Sequence, residues 1–359
     1  MADQGYEVAV FGSTPLAGLM AGLLATAHGK RVCLVGETGS SFRLPLGLDL
    51  SVMPATRPET WALLKAMTPE TVKLLGRIGA RSAMQRVDPV FAADGSAGSE
   101  ALSHMRFVAS GFGHAVERLP NGGGVVSGEA YRLRDALLLR RGHIETAMTA
   151  WLSQSGVGQL AARDVTVTLR RDGSARIGFA GTTIEAAHAV LADDAAIVTY
   201  LDAPERDRTL VLQTATAMLT EPTFPLVAPV VVYPDRNVTL SRNRRGSVLA
   251  FSAGPAEQAT VQVGRCLAGH GPLRRAGQHI FKSVGTVDGA PLVGPARGLR
   301  ATVIAGLGLS GAFLAPALAR LVAGVASDEE KSYFAAREAG RGNARALVAD
   351  YSGGLEVQN

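Results

Sequence analysis

Two glycine-punctuated segments, one near each end of the chain, have the residue types and spacing to hold a dinucleotide. The first runs Val8-Ala-Val-Phe-Gly12-Ser-Thr-Pro-Leu-Ala17-Gly18, the second Val303-Ile-Ala-Gly306-Leu-Gly308-Leu-Ser-Gly311. Each reads as a buried strand, a tight turn and a helix. Such a turn binds a pyrophosphate because helix N-terminal amides lack intrahelical partners and the helix dipole favours negative charge there. In the pattern G-x-G-x-x-G the first glycine makes the turn, the second lets the ligand approach, and the third lets helix pack on strand. Gly12 fills the first place, Thr14 stands in the second and Ala17 in the third, with Ser13, Pro15 and Leu16 completing the turn. The next strand ends at Val35-Gly36, and Glu37, the acid placed for ribose hydroxyls, comes one residue late. The C-terminal copy keeps Gly306, Gly308 and Gly311 around Leu309 and Ser310, but no second strand with a terminal acid follows it. That copy is expected to be structural, or a second contact with the same ligand.

The surrounding pattern supplies the elements that position these turns. Val8–Phe11, Pro15–His28 and Arg31–Val35 read as strand, helix, strand. Thr56 to Glu59 fits a capping box and Thr68-Pro69 repeats a helix start, which predicts two helices over Glu59–Ala66 and Pro69–Ile78. Val87 to Gly128 reads as short strands and loops. A helix is expected over Ile144–Ser155, a strand over Asp164–Leu169, a hairpin continuing through Ala175–Phe179, and a buried strand over Ala186–Ala192. Leu210–Thr216, Pro229–Tyr233, Val238–Ser241 and Val248–Ser252 predict a mostly antiparallel sheet. Ser327-Asp-Glu-Glu330 caps a last helix. The chain therefore starts and ends in one α/β layer with an antiparallel sheet inserted between.

Composition narrows the class. The 359 residues are 47% hydrophobic and 19% charged with net charge +5, enough for a large core and without a block of like charges that would mark a nucleic-acid tail. Lysine is scarce (Lys30, Lys65, Lys73, Lys282, Lys331), so arginine carries the positive charge. Cys33 and Cys266 make no framework, seven scattered histidines show no ligand spacing, and no metal is expected. Ala301–Ala319 is uncharged and long enough to span a bilayer, but Gly306, Gly308, Gly311 and Pro316 suit a strand-turn-helix better, so no membrane span is expected. No basic leader precedes the first strand, and a cytoplasmic location is the default.

Taken in order, these residues resemble the superfamily of FAD-dependent oxidoreductases that contains D-amino-acid oxidase, glycine oxidase and sarcosine oxidase. The Gly12–Gly18 turn looks like that family's FAD pyrophosphate turn, and Val165 lies in a segment like its adenine-facing strand. Val190-Leu-Ala192 looks like its alanine-glycine strand end. Thr286-Val-Asp288-Gly-Ala-Pro291-Leu-Val-Gly294 and the segment through Gly306–Gly311 look like its flavin-wrapping blocks. The resemblance implies an α/β, α+β overall, fold: a Rossmann-like FAD-binding domain discontinuous over 1–80, 140–200 and 285–330. The inserted antiparallel-sheet substrate or cap domain would span 81–139 and 201–284, and 331–359 would form a helical tail. It also implies non-covalent FAD, since Ile280-Phe-Lys282 has no cysteine where the covalent members attach flavin. The chain departs from the family at Thr14, at Gly36, and at Asp193-Asp194, where a glycine is usual. Two carboxylates beside a pyrophosphate repel it unless they point away.

Oxidation of a C–N bond by hydride transfer to flavin N5 leaves the protein to orient the substrate. A carboxylate anchor is best served by arginine. The candidates are Arg242 and Arg244, then Arg274, Arg275 and His279, with Tyr233 adding a hydroxyl and Lys282 facing the flavin. Arg140-Arg141-Gly-His143 precedes a helix, where positive charge is disfavoured by the dipole, and is expected on the surface or facing a partner. The leading expectation is an FAD-dependent oxidoreductase of a small amine or amino acid. The alternatives are a divergent non-catalytic or maturation subunit of a larger complex, with a protein partner, and an FAD-dependent hydroxylase.

Overall fold

In the computed structural model, residues 5–37, 44–202, 210–268, 273–296, 298–339 and 341 are described. Most of the expected 331–359 tail lies outside them. The first strand (β1, Tyr6–Phe11), first helix (α1, Pro15–Thr26) and second strand (β2, Val32–Gly36) form a parallel β-α-β unit. β1 is fully buried from Val8 onward, which is why its sequence is a continuous apolar run. It sits at the middle of an eight-stranded sheet. Gly158–Ala161 pairs with β2 on one side, and the long Thr182–Leu191 strand pairs with β1 on the other.

That long strand changes neighbours along its length. Its first half pairs antiparallel with Ala175–Phe179, and its end pairs parallel with Leu299–Ala305 at Val190 and Leu191. The C-terminal glycine turn is thereby brought beside the N-terminal one. Ala301–Ala319 does not form one continuous helix. It is a strand, a 3₁₀ turn at Gly308–Leu314 and the start of the helix Ala315–Ala323. Among the described residues, no single helix is long and apolar enough to cross a membrane.

The inserted part is a second eight-stranded sheet. Arg275–Thr286, Leu210–Pro222, Ser247–Ala253, Val238–Arg242 and Val230–Tyr233 run antiparallel in that order. Val90–Ala93 then joins in parallel, followed by Glu129–Leu133 and Val116–Arg118. All four strands expected between 210 and 252 are present. A small sheet of Asp49–Leu50, Ala136–Leu139 and Met84–Val87 lies beside the first layer.

Three expectations are corrected. One helix, Pro58–Arg77, replaces the expected pair and carries Pro69 inside it. Its N-cap is Arg57 and makes no side-chain cap hydrogen bond, so the Thr56 capping box does not form. The stretch read as strands and loops contains a helix at Ser96–Gly111, which buries Ala101, Leu102, Met105 and Ala109 on one face. Small residues (Ser96, Gly98, Ser99, Ser103) concealed its period. The last capping box is present as read: Ser327 accepts from the Glu330 amide and the Glu330 carboxylate accepts from the Ser327 amide.

Candidate functional site

The two glycine turns face one cleft, and the antiparallel sheet is its third wall. Ala192 ends the long strand with its amide on Phe11 carbonyl oxygen (2.8 Å), which sets Asp193 against the first turn. A cavity of about 290 Å³ is lined by Thr14, Pro15 and Leu16 from the first turn, and by Ile304 to Gly308 and Gly311 from the second. Phe281, Ser283 and Thr286 line it from the sheet side. A larger cavity of about 730 Å³ continues past Ser13, Thr14 and Glu37 toward Arg140, Arg141, His279 and Lys282. A third, of about 160 Å³, opens from the first behind Phe281, between Gln213, Tyr233, Asn237, Thr239, Phe251 and Ser252.

The first turn is held tightly. A Cβ on Gly36 would lie 2.2 Å from the Gly12 carbonyl oxygen, so the end of β2 passes the turn only as glycine. Gly36, one of the departures from the family pattern, is thus what lets the turn and the second strand close together. Glu37, one residue on, lines the larger cavity, and its amide donates to Ser13 Oγ at 2.8 Å. Thr14 is the N-cap of α1, accepting from the Ala17 amide at 3.4 Å, and Pro15 at the first helical position has no amide to give. Gly306 (φ +69°) and Gly308 (φ +54°) make the second turn in the left-handed region that only glycine enters without cost. Leu309 and Ser310 are buried under it, Ser310 donating to the Leu50 carbonyl oxygen at 3.3 Å.

Three aspartates line the cavity between the two turns. Asp193 accepts from the Ser13 amide (2.5 Å) and from the Ala196 amide (2.9 Å). Asp49 accepts from the Ala312 amide in the second turn at 3.0 Å. Asp194 turns toward the sheet and accepts from Ser283 Oγ at 3.1 Å. Burial pushes all three carboxyls up. Asp49 reaches about 6 against the lowering pull of the Ala312 amide and Arg141. Asp194 also reaches about 6, raised by burial and then by the Asp193 charge, and lowered by its bonds from Val284 and Ser283. Arg141 is the cation that lines the cavity between the turns. It donates to the Ser13 carbonyl oxygen and, from Nε, to Glu145 at 2.9 Å. The Arg140–His143 segment, expected on the surface or facing a partner, borders the larger cavity with Arg140, Arg141 and His143, of which His143 is exposed and the two arginines are half-buried. Nothing in the local spacing marks Arg141 or Asp49 as cleft residues. Tertiary packing alone brings them there.

The remaining sequence candidates are distributed unevenly. Tyr233 is buried and lines the small cavity, its phenol pushed up by burial. Lys282 lines the larger cavity, with Nζ donating to Thr214 Oγ1 at 3.1 Å, while Phe281 and Ser283 reach the cavity between the turns. Arg242 lines none of the three cavities, although Ser241 and Asn243 on either side of it line the larger one. Arg274 and Arg275 are exposed beside Glu221 and Gln278. Val165 lies in the hairpin sheet paired with Phe179, outside the cavities. Asp288 lies behind the cleft, its carboxylate held by Arg341 at 2.6 and 2.8 Å, while Gly289 reaches the lining.

FAD is the group that the sequence resemblance implies. The residues present fit it at three points: the glycine-enforced approach of β2 to the first turn, the acid Glu37 at the end of β2, and a second turn opposed across a cavity. Asp193 is the point of tension, and burial favours its neutral form.

No protein-family model and no curated protein matches the chain. Solved structures match it over nearly its whole length. Glycine oxidase from Geobacillus kaustophilus is 17% identical, with 96% of this chain and 98% of that one covered at a TM-score of 0.64. L-Amino acid deaminase from Proteus myxofaciens, in complex with anthranilate, is 11% identical, with 93% of each chain covered at 0.69. Iminodiacetate oxidase from Chelativorans is 18% identical, with 89% and 96% covered at 0.64. At these identities the likeness establishes the fold, and the expected amino-acid oxidase architecture is borne out at that level.

Proposed function

We propose that the protein is an FAD-dependent oxidoreductase that oxidises a C–N bond of a small amine or amino acid. The observation that carries this reading is the convergence of both glycine turns on one cleft, closed on its third side by the antiparallel sheet. In this reading the N-terminus of α1 and its dipole serve the diphosphate, and Glu37 serves the ribose. The Gly306–Gly311 turn serves the edge of the flavin ring. Bound FAD supplies the hydride acceptor at N5.

The chain's own residues then decide the substrate. The cavity of about 160 Å³ behind Phe281 has the volume of about five liquid waters. None of its lining side chains is charged. A buried ammonium or carboxylate without a counter-charge is costly, so of the two substrate classes this lining favours a small amine that enters neutral, and the carboxylate of an amino acid would have to lie outside this cavity. Tyr233, Asn237 and Gln213 offer the hydrogen-bonding groups that orient it, and Phe281 screens the space between the cavities from water. The non-covalent cofactor and a cytoplasmic location belong to the same reading.

The test is an absorbance spectrum of the purified protein before and after denaturation, followed by anaerobic addition of a panel of small amines and amino acids. Flavin released on denaturation and bleached by an amine supports the proposal. A colourless protein that FAD neither binds nor stabilises overturns it. One observation favours a second reading, a non-catalytic subunit of a larger complex: the Asp193 carboxylate already holds an amide of the nucleotide turn. Co-purification of a stoichiometric partner with a flavin-free chain would support that reading.

A further inference from the structure

Asp193 stands where this fold, on the reading above, must admit a phosphate. Three observations define its place. Its Oδ2 accepts the Ser13 amide at 2.5 Å, directly after the first glycine of the turn. A Cβ on Gly12 would meet that same Oδ2 at 3.0 Å, so the carboxylate lies against the turn and does not point out of the cleft. Its Oδ1 accepts the Ala196 amide as N-cap of the helix Asp194–Tyr200, which anchors it by a second element. A carboxylate that accepts one backbone amide on each oxygen, one of them from the turn, occupies the place of a phosphate group at such a turn.

We propose that Asp193 is a resident stand-in for a cofactor phosphate: a diphosphate settles on this turn only as Asp193 gives up the Ser13 amide and takes up a proton. The inference rests on the proposed function and deepens it by naming how its cofactor enters. The balance is simple. The phosphate arrives as an anion, the carboxylate becomes a neutral acid able to donate an O–H to a phosphate oxygen, and one proton comes from solvent. Leaving both ionised places like charges a few ångströms apart in a partly desolvated cleft, which the protein relieves by protonation.

The groups around Asp193 set the direction. Burial raises its carboxyl, and the amides of Ser13, Ala196 and Ala195 together with the Arg141 charge pull it back. Asp194 is its immediate neighbour, and its charge is felt by Asp194 and by Tyr200, which also feels Glu37. Asp49, across the same cavity, shares the Arg141 charge. Arg141, the cation that touches the turn, is already engaged by Glu145 and the Ser13 carbonyl oxygen, while Arg140, His143, His279 and Lys282 line the larger cavity beyond it, Arg140 held by Gln85 and Lys282 by Thr214. Asp194 differs from Asp193 in direction, not in kind: it faces Ser283 on the sheet and holds no amide of the turn.

The experiment is a titration of flavin-depleted protein with FAD, followed by flavin fluorescence, at several pH values from about 5.5 to about 8. Proton uptake is measured alongside by calorimetry in buffers of different ionisation enthalpy. Above the Asp193 value in the free protein, wild-type affinity is expected to weaken toward about tenfold per pH unit, with up to one proton taken up per FAD. Asp193→Asn keeps a side-chain oxygen for the cap and removes the titration. It is expected to flatten the profile and to bind FAD at least about tenfold tighter at pH 8. Asp193→Gly tests the same point without a side chain, and Asp194→Asn is expected to keep the wild-type slope. Riboflavin, which lacks the diphosphate, is expected to bind without the Asp193-dependent slope. Parallel profiles for wild type and Asp193→Asn, or FAD binding with no proton uptake, overturn the inference while leaving the flavin reading intact. Failure of FAD to bind any of these proteins at any pH overturns both.

Discussion

Asp49→Asn tests the electrostatics of the cleft from the opposite side. Asp49 lies on the short strand before the long helix, and its Oδ1 accepts the Ala312 amide at 3.0 Å. Burial lifts its carboxyl from the ordinary 3.8 to about 6, against the lowering effects of that amide and of Arg141. The sign follows from proton counting. Between about pH 4 and about pH 6 the folded protein holds this proton and the unfolded chain does not, so stability falls as pH rises through that window. Above pH 6 the full penalty is in force. Two pH units at about 1.4 kcal/mol each give about 3 kcal/mol as a ceiling. The carboxyl borders a cavity that water can enter, so a value between about 1 and about 3 kcal/mol is expected. Asn accepts the same amide without charge. Urea denaturation of both proteins at about pH 4.5 and about pH 7.5 should show Asp49→Asn close to wild type in acid and more stable near neutrality by that amount. The difference between the two curves isolates Asp49 from Asp193 and Asp194, which titrate in both proteins. Adding Arg141→Gln to the aspartate background should widen the gap, because it removes one of the effects holding Asp49 down. A difference that does not change with pH, or an asparagine protein equally destabilised at both values, would refute the reasoning.

Other consequences concern the scaffold. Gly36→Ala places a Cβ 2.2 Å from a backbone oxygen, so it should cost at least the ~1–3 kcal/mol typical of overpacking. Gly29→Ala, at φ +62° with open space around it, should cost only about 1 kcal/mol; a reversed order in denaturation midpoints would show that the β2–turn contact is not tight. Arg341→Met should cost up to about 3 kcal/mol near neutrality by stranding Asp288, which is 8% exposed. Burial raises the Asp288 carboxyl but Arg341 outweighs it and holds it below its ordinary value. The pair's contribution is therefore present above that ordinary value and lost as pH falls through the lowered one, and urea curves across the acid range should show Arg341→Met less sensitive to acid than wild type.

Local periodicity made the frame readable. β1, α1 and β2, the four strands of the inserted sheet, the Ala186–Ala192 strand and the C-terminal strand-turn-helix all carry either a continuous apolar run or a clear turn signal. The helix at Ser96–Gly111 was concealed because its first turns use glycine and serine, which weaken propensity while packing closely against the Val90–Ala93 strand. The turns were legible where backbone conformation demanded a residue type, as at Gly12, Gly306 and Gly308, whereas Gly36 read as a departure because its need for glycine comes from the Gly12 carbonyl oxygen across the turn. Arg141 and Asp49 reach the cleft through tertiary contacts with segments 128 and 263 residues away in sequence, and no local pattern encodes such a distance. Asp193 and Asp194 stood out by departing from the expected glycine, but their opposite orientations depend on the helix they begin.

Those orientations bear on why the cleft is built with carboxylates. A glycine turn leaves backbone amides without partners, and a buried unpaired amide costs about 1–3 kcal/mol. In this chain Asp193 satisfies the Ser13 amide of the first turn and Asp49 the Ala312 amide of the second. Each turn thus has one amide already engaged by a carboxylate before any ligand arrives. An incoming cofactor must exchange these bonds for its own, so its net gain is smaller than the same contacts would give at a bare turn. Loose, proton-dependent cofactor binding follows for an enzyme, and absence of cofactor follows if the exchange is unfavourable at the working pH. The same two hydrogen bonds therefore separate the catalytic reading from the non-catalytic one. Neutralising Asp193 alone shifts that balance without altering the fold.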